Sequence, residues 1–405
     1  MKKLIALSLL CLTLAACNGG DDGSSSGSSS TLPTGTLQIT TTSLADGTNG
    51  MVYGENVYAT GGTGVGYSWS LASGSLPMGL SLDHRDVPLS WGSFTTTGNI
   101  DQSLGGGKLG EVSGIVASAG QPGVFWVHDD SGAGPDFYAI DAAGNLLQEY
   151  NISAGAQDWE DIAIGPGPGG NDYLYLADVG DNSSTRTNCR IYRVMEPTVP
   201  ATPGASINVA HDEFWFTYPG GSQNCETILC DWATGTPYLV EKVGTGTPRV
   251  HKFPMPLDTA WTSSNPVTLT SVTASGTFIV TLTGGDSSRD GRRIILRGYS
   301  SAREYAVPAG GSFDDLFNQA GSSVSVPGGQ QYEAICYSAD GTKLYTTTEL
   351  AAQAGAPIQS TDAVPDNGYT TISGTAAATG TETFTIQVTD SAGNTATRQL
   401  SITVS

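Results

Sequence analysis

The sequence predicts an all-β chain in which a β-propeller interrupts a small β-sandwich. Three observations lead there. Residues 36–83 and 369–405 both carry short alternating β-type runs, yet neither stretch can close a core alone. The segment between them, 84–368, repeats a strand-bearing unit, with spacings of 49, 66, 60 and 47 residues between Glu111, Glu160, Glu226, Asp286 and Glu333. Glycine is abundant, at 54 residues, Ser and Thr are frequent, and helix-type periodicity is scarce.

The N-terminus comes first. Lys2 and Lys3 precede an apolar run over 4–14 that is too short to span a bilayer, and Leu14-Ala15-Ala16-Cys17 follows. This pattern resembles a bacterial lipoprotein signal, which implies a leader over 1–16 and lipid (palmitate among its acyl groups) on Cys17. Asn18, rather than Asp, resembles lipoproteins sent on to an outer membrane. Residues 17–35 have almost no apolar content and read as a Gly/Ser tether. Its r.m.s. reach is roughly 20–25 Å. The chain is thus expected to be anchored to a membrane from an extracytoplasmic side, at a bacterial outer membrane or cell surface.

Charge narrows the partners. The formal net charge is −21, and losing Lys2 and Lys3 with the leader takes it to −23. Such a surface excludes nucleic acid and disfavours anionic lipid surfaces as partners, while admitting cations. Four cysteines follow Cys17, namely Cys189, Cys225, Cys230 and Cys336. In an exported protein they are candidates for disulfides, with three connectivities open.

The sandwich strands are legible in detail. Tyr67 and Trp69 alternate with Ser68 and Ser70, and Phe384, Ile386 and Val388 alternate with Thr385 and Gln387. Asp390 to Asn394 reads as a hairpin turn, and Leu400, Ile402 and Val404 complete the last strand. "GGTGVGYSWSLASGSLPMGLSLD" and "TISGTAAATGTETFTIQVTDSAGNTA" together resemble the cadherin-like Ig domain of bacterial surface proteins. In that family the two segments are nearly adjacent; here the whole insert separates them. The resemblance covers about 85 residues (36–83 and 369–405) and implies adhesion or spacing, sometimes with Ca²⁺. Asp390 and Asn394 are its local candidates, and a plain turn is the simpler reading.

In the insert, Glu111-Val-Ser-Gly-Ile115, Glu160-Asp-Ile-Ala-Ile164, Glu226-Thr-Ile-Leu229 and Glu333-Ala-Ile-Cys336 open successive units, and Val280 to Asp286 opens another. Second strands such as Val124-Phe-Trp-Val127 and Tyr173-Leu-Tyr-Leu176 follow. Five blades account for the length, six is the alternative, and residues 88–110 can supply a strand that closes the last blade. "GEVSGIVAS", "GVFWVHDDSG", "DWEDIAIGPGPGG", "YLYLADVGDN" and "IYRVMEP" resemble secreted bacterial propellers, distantly similar to gluconolactonase-like and phytase-like ones. The likeness implies the fold over most of 108–350 and no single reaction. Asp286 to Gly291 partly fits a Ca²⁺ loop, but Arg297 stands where the bidentate Glu belongs, so a blade turn is the better reading.

In a four-stranded blade, the start of the first strand and the second-to-third connection lie at the same end. The acids at those positions, among them Asp129, Asp130, Glu241 and Glu349 on the second-to-third connections, should therefore converge on one channel mouth. Expected there are Glu111, Glu160, Glu226 and Glu333, with Asp178 and Asp181, as ligands for Ca²⁺ or, alternatively, Mg²⁺. Lys242, Arg186 and Arg297 are candidate compensating cations. His128, Asp129 and Glu160 are the candidates for acid–base catalysis; no Gly-x-Ser-x-Gly nucleophile is present. The leading expectation is a lipoprotein whose propeller binds a small-molecule, polymer or surface-protein ligand at a Ca²⁺-occupied mouth. A metal-dependent lactone or phosphate-ester hydrolase, and a structural adhesin or spacer, are the alternatives.

Overall fold

Strands from the two ends of the chain pair with one another. Val52–Thr60 lies between Gln38–Ile39 and Tyr369–Thr375, and the latter pairs onward with Leu80–Leu82. A second sheet places Gly380–Thr389 between Ser68–Ser73 and Thr395–Val404. The inward residues of both sheets share one core, in which Val57, Trp69, Ile372, Phe384, Ile386 and Ile402 are buried. This follows from period-2 alternation: each strand buries one face only, so two sheets must meet. The computed structural model describes residues 35–82, 89–101, 109–130, 134–308, 311–329, 331–349, 355–364 and 368–405. The leader, Cys17 and most of the tether lie outside the described residues. No helix among the described residues is long and apolar enough to cross a membrane.

Between the two ends stand five further sheets of four or five strands among the described residues. Their first strands are Val112–Ala117, Trp159–Pro166, Cys225–Asp231, Leu282–Ser287 and Tyr332–Tyr337. Each first strand packs beside the next, and the fifth packs back beside the first, so the ring closes. A closed ring of antiparallel sheets, each running outward from a shared axis, is a β-propeller. The fifth sheet takes its outermost strand, Thr95–Ile100, from the chain segment that precedes the ring, and this strand pairs with Ala356–Asp362.

All five first strands carry the same irregularity. The register with the second strand slips at Ser113, Glu160, Glu226, Thr283 and Glu333–Ala334. An extra residue in one strand leaves the ladder and re-aims a side chain.

The sandwich meets the propeller at the end where first strands turn into second strands. Ser391 of the sandwich hairpin donates from Oγ to Asp340 O at 2.6 Å, and its N–H donates to Val65 O. The buried Arg293 pairs with Asp290 at 2.6 Å in the neighbouring turn. Its guanidinium lies against Gly66, where a Cβ would fall 2.9 Å from Nη2, and Gly66 has a φ of +65° that also requires glycine. The opposite end of the ring, which carries the second-to-third connections, is not where the sandwich docks.

The four cysteines Cys189, Cys225, Cys230 and Cys336 are free and buried, which corrects the expectation of disulfides. Cys225 and Cys230 sit five residues apart on one strand, and Cys336 belongs to a different core cluster from the other three. Burial pushes the Cys189 thiol up to about 12.

Candidate functional site

The bulges build the channel mouth. Ser113 Oγ donates to Glu160 O at 2.6 Å, and its oxygen rests 3.4 Å from Glu333 Oε2. Thr283 Oγ1 donates to Glu333 O at 3.2 Å. Neighbouring bulges are thus bonded to one another across the ring. One residue further along, the wholly buried Asp161 accepts from the backbone N–H of its neighbour Ile162 and, across the axis, from Ile228 at 3.1 Å and Gly285 at 3.3 Å. Asp286 likewise accepts from Tyr337 N at 2.9 Å. These two carboxylates satisfy backbone groups that the bulges release, and burial pushes Asp286 up to about 7.

Above this layer the acids gather. Glu160, Glu226 and Glu333 retain only 5%, 2% and 5% of their exposure. Carboxylate oxygens of Asp130, Asp158 and Glu160 lie within 4.8 Å of one another. Burial, then the charges of Glu226, Asp130, Asp158 and Glu333, hold Glu160 well above the usual carboxylate range. Glu349 joins them: burial and Glu333, to which it is hydrogen-bonded, push it up to about 9.

The compensation is uneven. Glu226 is satisfied by Lys242 and by Asn224 Nδ2 at 2.9 Å. Lys242 Nζ also reaches Tyr299 Oη at 2.9 Å. Asp178 is held by Arg186 at 3.0 Å and Arg190 at 2.9 Å. Asp181 accepts from Thr185 N and Arg186 N, closing its own loop. Glu160, by contrast, receives no hydrogen bond or ion pair on its carboxylate among the described residues. Gly180 makes the space it occupies, because a Cβ there would overlap Glu160 Oε1.

Several expected participants therefore have other positions. Asp178 and Asp181 brace the loop beside the mouth rather than present free carboxylates. Glu111 precedes the first strand and is exposed; the ring position in its sheet is Ser113, two residues on. Asp129 accepts from Glu111 N at 2.5 Å, and burial pushes it up to about 7. His128 is sealed between sheets, at 0% exposure, with its ring edge-on to Trp159 at 5.6 Å. Burial lowers its pKa to about 4, so it is a neutral packing residue. Arg297 is buried too, donating to Pro327 O at 3.1 Å and lying over the Tyr332 ring.

Sequence reading missed Ser113, Thr283, Asp161 and Asp158 as members of one constellation, whereas Asp130 and Glu349 were expected at this end from their second-to-third connections. A signal existed. Ser-Gly-Ile, Glu-Asp-Ile, Glu-Thr-Ile, Thr-Gly-Gly and Glu-Ala-Ile start at the five bulges. Their common feature is a side-chain oxygen, not a negative charge.

Fold and site together define a β-propeller protein with an acid-lined channel mouth. No protein-family model matches the chain, and no curated protein matches it. Among solved structures, a gluconolactonase from Xanthomonas campestris is similar over 73% of this chain and 99% of its own, at 10% identity and a TM-score of 0.37. A TolB protein from Agrobacterium tumefaciens is similar over 63% of this chain and 84% of its own, at 15% identity and a TM-score of 0.28. Likeness at this level transfers neither activity nor fold; the propeller assignment rests on the closed ring of sheets.

Proposed function

We propose that this chain is a lipid-anchored extracytoplasmic bacterial protein whose five-bladed propeller, carried on a split Ig-like sandwich, binds a divalent cation at the acid mouth and a ligand through it. The observation that carries the reading is the triad Asp130, Asp158 and Glu160, with the Glu160 carboxylate buried and without a hydrogen-bond or ion-pair partner among the described residues. Two unit charges 4.8 Å apart at an effective dielectric of about 20 repel by roughly 3.5 kcal/mol. Three such carboxylates do not stay ionised together unless protons or a cation offset them. A hard oxygen donor set selects Ca²⁺ or Mg²⁺ over softer ions. Both ions take carboxylate oxygens of this kind, Ca²⁺ with the more flexible geometry.

The sandwich docks at the other end of the ring, so it leaves this mouth open to a ligand. Lipid at Cys17 and the tether would hold the assembly near a membrane while presenting the mouth outward.

The test is thermal melting of metal-stripped protein with and without Ca²⁺, in the natural chain and in Glu160→Gln. The expected result is a rise in Tm with Ca²⁺ that the variant loses. An identical melting curve with and without the ion would remove the reading. Turnover of a lactone or phosphate ester that is abolished in Glu160→Gln would move the assignment to a metal-dependent hydrolase.

A further inference from the structure

The acid mouth stays short of positive charge even with a divalent ion in it. Glu226 has Lys242, and Asp178 has Arg186 and Arg190. Asp181 is turned into its own loop, and Glu333 has the buried Arg297 guanidinium within electrostatic reach. Four carboxylates then remain: Asp130, Asp158 and Glu160 in the triad, and Glu111, exposed beside it. A divalent ion offsets two of these charges. Glu349, next to Glu333, adds acid and no base. An oxyanion would bring further negative charge into this excess, so phosphate and carboxylate groups are disfavoured as ligands with or without the ion. A cationic group relieves it.

The chain itself shows how an ammonium is held here. Lys242 Nζ pairs with Glu226, donates to Tyr299 Oη at 2.9 Å and lies 4.9 Å from the centre of the Tyr299 ring. Its side chain keeps 17% of its exposure, so the mouth takes an alkylammonium largely out of water and offsets that loss with carboxylate, hydroxyl and ring. Glu160 is the unmatched acid: it is 5% exposed, and its carboxylate has no hydrogen-bond or ion-pair partner among the described residues. Glu349 is held in place by a strained residue. It accepts from Gln331 Nε2, and its N–H donates to Gln331 O at 2.7 Å. Gln331 has a φ of +72°, in the left-handed region that a residue with a Cβ seldom enters.

We infer that the ligand of this mouth is cationic and carries alkylammonium groups, as a lysine-bearing peptide segment or a polyamine does. This rests on the reading of the mouth as the ligand site and sets phosphate esters aside as its ligands. With a divalent ion on the triad, the ammonium meets Glu111 and Glu349; without the ion, Glu160 joins them.

The experiment is a calorimetric titration of the Ca²⁺-loaded mature protein with tetralysine, with spermidine and with phenyl phosphate, repeated in EDTA. One amine ligand should bind per chain, and phenyl phosphate should give no heat. Binding of tetralysine alone identifies a peptide as the source, and binding of spermidine alone a free polyamine. Glu349→Gln should weaken amine binding about tenfold. Glu111 is exposed, so Glu111→Gln leaves the fold intact, and it should weaken binding about threefold. Both variants keep the triad and should still bind Ca²⁺. Glu382→Gln, which removes an exposed acid of the sandwich, should bind the amine as the natural chain does. Absence of binding by both amines, saturable binding of phenyl phosphate, or equal weakening by Glu382→Gln and Glu349→Gln overturns the proposal. A chain that binds Ca²⁺ and no amine leaves the cation reading standing alone, whereas one that binds the amine and no Ca²⁺ supports the proposal and removes the cation reading.

Discussion

The Ser113 hydroxyl donates to the backbone carbonyl of Glu160 at 2.6 Å, and so joins the bulge of one sheet to the bulge of the next. Both residues are buried. The bond fixes the strand segment from which the Glu160 carboxylate projects. Ser113→Ala leaves a buried carbonyl without this donor, at a cost of about 1–2 kcal/mol. Urea unfolding of the variant should show that loss with an unchanged m-value. A midpoint equal to the natural chain's would mean that water replaces the hydroxyl.

Gly180 shapes the site from the neighbouring loop. A Cβ at this position would overlap the Glu160 carboxylate and crowd Asp158, where the separation would be 2.5 Å. Gly180→Ala should therefore displace the carboxylate and lower Ca²⁺ affinity about 10–100-fold, as lost support of a ligand usually does. Far-UV circular dichroism should stay unchanged, because Gly180 lies outside the strands.

Glu304 gives the junction between sandwich and propeller a pH dependence. Its carboxylate accepts from Tyr337 Oη at 2.8 Å and from Leu89 N. Burial pushes it from 4.5 up to about 7, although Arg293 and these hydrogen bonds pull the other way. The folded chain therefore keeps a proton that the unfolded chain releases above about 4.5. This contribution to stability is complete below that pH and is lost as pH rises through about 7. The full swing is on the order of 3 kcal/mol. Glu304→Gln should flatten the stability profile between those two pH values. A profile parallel to that of the natural chain would assign the slope to other acids.

The four buried cysteines make a simple chemical prediction. A thiol reagent should find none of Cys189, Cys225, Cys230 and Cys336 in native protein, and all four in denaturant without reductant. Fewer than four would reveal a disulfide.

The pairing of 36–83 with 369–405 and the ring of sheets were legible because alternation and repeat spacing leave a direct mark on sequence. Glu160, Glu226 and Glu333 were legible as a converging set for the same reason. The register of the first sheet was not. Glu111 matched the acid pattern, but the bulge falls at Ser113, where burial and a cross-sheet hydrogen bond demand a small hydroxyl. Asp178 and Asp181 looked like ligands because sequence alone does not show that Arg186 and Arg190 fold back onto the same loop. His128 stood beside two aspartates in the sequence, but strand alternation turns its ring to the other face, against Trp159.

Calcium titration of metal-stripped mature protein by calorimetry tests the central claim most directly. One ion should bind per chain, with affinity rising with pH as protons leave the acid cluster, and Glu160→Gln should abolish the heat. Absence of binding in the natural chain, or equal binding by Glu160→Gln, would contradict a cation site built on Asp130, Asp158 and Glu160.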